Sequence, residues 1–235
     1  NQGHRHPVIL KALRDQAEML TLTSRAFFND KWPIFAKKLA EFTGKEMVLP
    51  MNTGAEAVET AIKTMRKWGY KVKGVDKDKA EIIVFENNFH GRTTTIVSFS
   101  SDPDAYGLYG PFTPGFKIVP YNDLDAVKKV INKNTVGILV EPIQGEAGVV
   151  VPDDGYLEGL SQIAKSSNVL LAVDEIQTGF GRTGKMFCYM YEDIDPDIII
   201  LGKALGGGIF PVSAVVADES ILGVFEPGTH GSTFG

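Results

Sequence analysis

Four short runs of the chain carry no charge and consist almost wholly of branched or large apolar side chains. They are Ile82-Ile83-Val84-Phe85, Val136-Gly137-Ile138-Leu139-Val140, Val169-Leu170-Leu171-Ala172-Val173 and Ile198-Ile199-Ile200-Leu201. Each is too short for a core-spanning helix, and none alternates apolar with polar, so none has a face for water. A strand that is apolar at every position is covered on both sides, the usual condition of a parallel sheet in an α/β protein. The sequence therefore predicts an α/β fold: a mainly parallel sheet with helices on both faces.

The segments between the runs agree. Pro7 suits a first helical turn, and Val8, Leu10, Leu13, Ala17 and Leu20 continue a helical stripe. A second helix is expected from near Asn29-Asp30, with Phe35, Leu39 and Phe42 on one face and Gly44 at its end. The apolar run 47–52 leads into Thr53-Gly54-Ala55, and Val58, Ile62 and Met65 are spaced for burial along a helix over about 55–68. Residues 116–119 and 212–217 read as further strands, and 155–166 as a helix. Asn122 reads as the cap of a helix over 124–131. Residues 93–100 fit a strand by composition and a helix by spacing, and 71–79 read as a charged surface loop.

Composition narrows the function classes. With 24 Lys plus Arg against 29 Asp plus Glu, the net charge of −5 argues against nucleic acid as the main partner. No apolar run approaches the roughly 18 residues of a membrane span. The single cysteine, Cys188, has no internal partner, which points to a reducing compartment, the cytoplasm. There is no G-x-x-x-x-G-K-[ST] loop, no G-x-S-x-G elbow and no G-x-G-x-x-G directly after a strand. The four histidines show no metal-ligand spacing.

What remains is the polar residues at the strand ends, where open parallel sheets bind ligands. Lys203 follows an apolar strand and sits among the glycines of 202–208. It is either a Schiff-base nucleophile or a lysine reaching solvent or an acid. Asp174 ends another buried strand, either to hold a pyridinium nitrogen protonated or to cap the turn that follows. Thr53-Gly54-Ala55 at a helix start suits a phosphate. Phe89 either stacks on a ring or joins the core, and Arg92 either clamps a carboxylate or pairs with an acid. The 25 glycines cluster around 179–184 and 202–208, beside Asp174 and Lys203, where a flat ligand would approach the backbone.

Five segments, taken in order, carry a resemblance: Asn52-Thr53-Gly54-Ala55-Glu56-Ala57, Asn88-Phe89-His90-Gly91-Arg92-Thr93, Glu141-Pro142-Ile143-Gln144-Gly145-Glu146, the stretch 174–184 beginning Asp174-Glu175-Ile176-Gln177, and Leu201-Gly202-Lys203-Ala204-Leu205-Gly206-Gly207-Gly208. Together they resemble the class III (ω-amino acid) aminotransferases, and the likeness runs over essentially the whole chain. It implies the fold type I scaffold with pyridoxal 5'-phosphate (PLP) as cofactor. Residues 1–235 would be the PLP-binding large domain, with an N-terminal segment and a C-terminal small domain outside it. It also implies roles. Lys203 would hold the cofactor covalently, Asp174 would bind the pyridine nitrogen, Gln177 would reach the ring hydroxyl and Phe89 would stack on the ring. Gly54 and Ala55 would bind the phosphate, joined by Ser232 and Thr233 from the partner in a homodimer with shared active sites. Arg92 would hold the α-carboxylate of the 2-oxo acid, Glu146 would gate it, and Glu141 would support the site near ring and substrate. His90 receives no role. Within the family, segments 1–4, 22–27, 145–149 and 229–235 are most similar to members that transaminate ornithine. Members acting on acetylornithine or 4-aminobutyrate, or a PLP-binding piece without activity, are the alternatives.

Overall fold

The computed structural model describes residues 2–24 and 26–234, so Asn1, Arg25 and Gly235 lie outside the described residues. Its helices are α1 (Pro7–Met19), α2 (Lys31–Thr43), α3 (Gly54–Trp68), α4 (Thr94–Val97), α5 (Pro103–Tyr106), α6 (Leu124–Val130), α7 (Tyr156–Ser166) and α8 (Glu219–Leu222). Its strands are β1 (Met47–Met51), β2 (Glu81–Phe85), β3 (Phe116–Val119), β4 (Thr135–Val140), β5 (Leu170–Asp174), β6 (Ile198–Leu201) and β7 (Ser213–Ala217). They form one seven-stranded sheet in the order β1-β7-β6-β5-β4-β2-β3. The five strands from β3 to β6 are mutually parallel. Only β7 is reversed, antiparallel to both β6 and β1. The link from β6 to β7 holds one short 3₁₀ turn and no crossover helix, so the chain returns beside β6 in the opposite sense.

Burial accounts for the uninterrupted apolar runs. Ile82, Val84, Leu170, Ala172, Ile198 and Ile200 face one core, built on Ala57, Val58, Ala61, Ile62 and Met65 of α3. Their neighbours Ile83, Phe85, Leu171, Val173, Ile199 and Leu201 face a second core with Leu39 of α2 and Leu157 and Leu160 of α7. Each fully buried side chain of this size contributes about 1.5–3 kcal/mol. Among the described residues no helix is long and apolar enough to cross a membrane.

Local signals place most boundaries, with informative exceptions. Gly44 ends α2 at φ 72°, as expected. Asp123, and not Asn122, caps α6 by accepting the Ala126 N–H. Asn122 is left-handed at φ 64°, and its side chain accepts the Asp153 N–H instead. The ambiguous stretch 93–100 contains α4, because the Thr93 hydroxyl accepts the Ile96 N–H and starts a helical turn. Residues 71–73 are no loop. They continue α3 through a π-helical turn, and Lys73 reaches back to the carbonyls of Thr135 (2.6 Å) and Ser167 (3.3 Å). The predicted stripe of α1 forms a helix but buries none of its residues against the described chain.

Gly137 in β4 is required by close packing: a Cβ there would lie 2.1 Å from Met65 Sδ, in a fully buried layer. Gly137→Ala is expected to lower stability by about 1–3 kcal/mol through overpacking. Combined with Met65→Ala it should cost less than the sum of the two single changes, measured as urea midpoints in a double-mutant cycle.

Candidate active site

The four apolar runs end on one edge of the sheet, and the polar residues behind them meet there. Asp174 is the last residue of β5 and is 4% exposed. Its Oδ1 accepts the Ile176 N–H (3.0 Å), and its Oδ2 lies 2.7 Å from His90 Nδ1. Glu175, one position on, turns to the opposite side. There it accepts the Tyr189 N–H (2.8 Å) and the Thr178 hydroxyl, so only one acid of the pair faces the site. Glu141 follows β4 and is buried; its Oε2 accepts the Phe89 N–H (3.0 Å). Lys203 comes two residues after β6 with φ +39°, a left-handed conformation strained for any residue with a side chain. Its side chain is exposed, and its amine has no hydrogen-bond or ion-pair partner among the described residues.

The N-terminus of α3 closes the site from the other side. Glu56 accepts the N–H groups of Asn52 (3.0 Å) and Thr53 (2.7 Å), and Thr53 Oγ1 accepts the Glu56 N–H (3.2 Å). This capping box occupies the amides around the cap but leaves those of Gly54 and Ala55 without an intrahelical acceptor. They point outward at the positive end of the helix dipole, a favourable place for an anion. Gly91, at φ +128°, lets the turn after β2 lie against the helix, since a Cβ there would come within 2.8 Å of Ala55 Cβ.

Together these groups line a cavity of about 640 Å³. Its wall includes Thr53, Gly54, Ala55, Phe89, His90, Glu141, Asp174, Gln177 and Lys203, with Ile143, Ile176, Ile209 and Val212 as apolar surface. Arg92, Glu146, Ser232 and Thr233 are not on that wall. The Arg92 guanidinium lies 5.8 Å from the centre of the Phe89 ring. Gln177 Nε2 donates to Glu146 Oε1 (3.0 Å), and Thr233 Oγ1 donates to Asn52 Oδ1 (2.8 Å). Ser232 Oγ accepts the Phe234 N–H (3.1 Å). The string Gly179-Phe180-Gly181-Arg182-Thr183-Gly184 spells G-x-G-x-x-G, but it runs through turns and opens no α-helix.

One residue, His90, gains significance only in three dimensions. His90 is buried against Phe99, with ring centres 6.0 Å apart, and meets Asp174 across 84 positions of sequence. Glu56 was legible, since Thr53-x-x-Glu56 is a capping-box signature. Burial pushes the Glu141 carboxyl up to about 7, reinforced by Asp174 and opposed by His90, the Phe89 N–H and Lys203. Burial disfavours a charged His90, yet the hydrogen bond and charge of Asp174, with the charge of Glu141, raise its pKa overall.

The family model described as Aminotransferase class-III matches residues 1–235. The chain is 62% identical over its full 235 residues to an ornithine aminotransferase of Brevibacillus brevis, of which it covers 59%. It superposes with a TM-score of 0.98 and 49% identity on an ornithine aminotransferase of Toxoplasma gondii whose structure has partial occupancy of PLP at the active site, covering 100% of this chain and 55% of that one. An acetylornithine aminotransferase from Elizabethkingia anophelis matches with a TM-score of 0.87 and 50% identity, over 100% of this chain and 56% of that one. The chain thus spans 59% of the length of that curated relative.

A carboxyl whose folded pKa is raised binds its proton more tightly in the native than in the unfolded state, so it destabilises the fold as pH climbs from its ordinary value toward the raised one. Glu141→Gln keeps an acceptor for Phe89 and removes the charge. Its stability advantage over the wild type should grow between about pH 4.5 and about 7 and level off above, measured as urea midpoints across that range.

Proposed function

The chain belongs to the class-III aminotransferases, and from that premise we propose that the complete protein is a PLP-dependent transaminase. It moves the terminal amino group of L-ornithine to 2-oxoglutarate, giving glutamate 5-semialdehyde, which cyclises to pyrroline-5-carboxylate, and glutamate. The observation that carries the reading is the meeting of three groups on one cavity: the unpaired Lys203 amine, the buried Asp174 carboxylate and the free amides at the start of α3. This donor set fits PLP, with an anion cradle, a carboxylate for a ring nitrogen, an aromatic face and an amine for the aldehyde. PLP, when bound, supplies an aldehyde carbon that bonds to amines and a ring that takes up the electron pair released at the substrate carbon.

The chain's own residues do the rest. The N–H groups of Gly54 and Ala55 hold the phosphate, and Ser232 and Thr233 complete that site from the second copy of a homodimer. Phe89 stacks on the ring, Gln177 reaches the ring hydroxyl, and the Asp174 anion holds a proton on the ring nitrogen. Lys203 Nζ secures the cofactor at rest. When free, the Lys203 amine would take up and hold at Nζ the proton released by the substrate carbon that bears the nitrogen. Glu141 supports ring and substrate through the Phe89 backbone. Arg92 binds the α-carboxylate of 2-oxoglutarate bidentately, and Glu146, held by Gln177, gates its approach.

Ornithine is supported by curated relatives of that specificity at 56–62% identity over the whole chain. Acetylornithine is the second reading, supported by the 50% identical Elizabethkingia enzyme. The homodimer is supported by a contiguous apolar groove along Leu22, Phe27, Phe28, Trp32 and Phe210, where Phe27 is 72% and Phe210 56% exposed. A cytoplasmic site agrees with the single buried thiol of Cys188.

Lys203→Ala should abolish the visible absorption of lysine-bound PLP and slow transamination by about a thousandfold or more, with an unchanged far-UV circular dichroism spectrum. Transamination near the wild-type rate would contradict the site. Arg92→Ala should slow the 2-oxoglutarate half-reaction by about tenfold or more and the ornithine half-reaction far less; equal losses would remove Arg92 from its role. Turnover of N-acetylornithine without pyrroline-5-carboxylate from ornithine would favour the second reading.

A further inference from the structure

We infer that His230 is the latch that holds residues 226–234 on α3 and so positions Ser232 and Thr233 for the phosphate site of the second subunit. Its Nδ1 accepts from Lys63 Nζ (2.7 Å) and its Nε2–H donates to Thr60 Oγ1 (3.0 Å). The inference rests on the reading of Ser232 and Thr233 as phosphate ligands shared across a homodimer.

A segment of this kind needs an outside hold. After α8 the described residues 223–234 form turns and neither helix nor strand. Among them, no bond between backbone groups joins 230–234 to the rest of the chain. Hydroxyls that bind a ligand in fixed geometry depend on supporting side chains. Here α3 and its π-helical continuation supply them: Thr60, Lys63, Lys67 and Lys71 follow at helical spacing along one face. Lys71 pairs with Glu226, Lys67 Nζ donates to Thr229 Oγ1 (2.9 Å), and Lys63 and Thr60 take His230. Thr233 Oγ1 then donates to Asn52 Oδ1, just ahead of the helix. The segment therefore runs back along α3 from its far end to its start. Neither Ser232 nor Thr233 lines the cavity of its own subunit, as expected of groups displayed to a neighbour.

His230 is the point in this chain of contacts that fixes an orientation. Its ring stacks on Phe225, with centres 4.6 Å apart and planes 19° from parallel, and Phe225 packs against the core beside α3. Both nitrogens are engaged, and the pairing determines the tautomer. A lysine amine has only donors, so Nδ1 accepts and the ring's one proton sits on Nε2, facing the buried Thr60. Burial, with the charges of Lys63 and Lys67, holds the His230 pKa below its ordinary value, which keeps the ring neutral as the arrangement requires. The acid on its own segment, Glu226, is taken by Lys71. Only Gly231 separates the latch from Ser232, so a displaced ring displaces the hydroxyls.

The test uses the complete protein as wild type, His230→Phe and His230→Gln. Phenylalanine keeps the stack on Phe225 and loses both hydrogen bonds. The glutamine amide offers an acceptor and a donor, as the neutral imidazole does. The dissociation constant for PLP, read from the visible absorption of lysine-bound PLP, should rise about tenfold or more in His230→Phe, with most of the loss recovered in His230→Gln. Hybrid dimers then show which site is affected. A subunit carrying both Lys203→Ala and His230→Phe, paired with a wild-type subunit, leaves one absorbing site completed by the altered segment; it should show the weakened binding. A Lys203→Ala subunit paired with a His230→Phe subunit leaves one absorbing site completed by an intact segment; it should bind PLP as the wild type does. The reverse pattern would overturn the inference, as would wild-type affinity in His230→Phe or no recovery in His230→Gln. If His230→Phe does not fold, imidazole ¹⁵N shifts of the wild type decide: a proton on Nε2 alone supports the latch, and a proton on Nδ1 overturns it. A wild-type protein that binds PLP as a monomer would instead overturn the shared-site reading, and the inference with it.

Discussion

Strands β2, β4, β5 and β6 are buried on both faces, and a charge anywhere along them would sit between two apolar layers. That single restriction organises the molecule. It drives every polar group of these strands to their ends, and because the strands are parallel, their carboxyl ends share one edge. Glu141, Asp174 and Lys203 are brought together by the same constraint that makes the runs before them apolar. The link into the reversed strand β7 contributes Ile209 and Val212 to the apolar wall of the cavity.

Desolvation then sets the character of each group. Asp174 is buried with both of its oxygens engaged, one by its own turn and one by His90. Glu141, with a single backbone donor and Asp174 nearby, carries a carboxyl pushed up to about 7. Lys203 escapes burial by standing at the lip, held there by a left-handed backbone that only the surrounding turn sustains. The start of α3 supplies positive character without any cation, since its capping box satisfies the amides at the cap and leaves the next two free. An overall charge of −5 is therefore no obstacle to holding an anionic cofactor.

Much of this was legible before the fold was known. Continuous apolar runs announce the parallel sheet, and the residues directly behind them announce the site, because both are local consequences of burial. The likeness of five short segments to one family carried the roles. Other features were not legible, for physical reasons. The cap of α6 fell to Asp123 because Asn122 is drawn to the Asp153 amide, a tertiary contact that propensity does not record. The β-branched stretch at 93–100 holds a helical turn over Thr94–Val97 because the Thr93 hydroxyl caps it. His90 had no assignable role because its partner is 84 positions away, and a buried histidine in sequence looks the same whether it packs or positions.

The central claim is that the end of β6 delivers the one amine that holds the cofactor. Borohydride reduction of the PLP-loaded protein, followed by peptide mass mapping, tests it directly. The account predicts the phosphopyridoxyl mass on Lys203 alone. Recovery of that mass on any other lysine, with Lys203 unmodified, would contradict it.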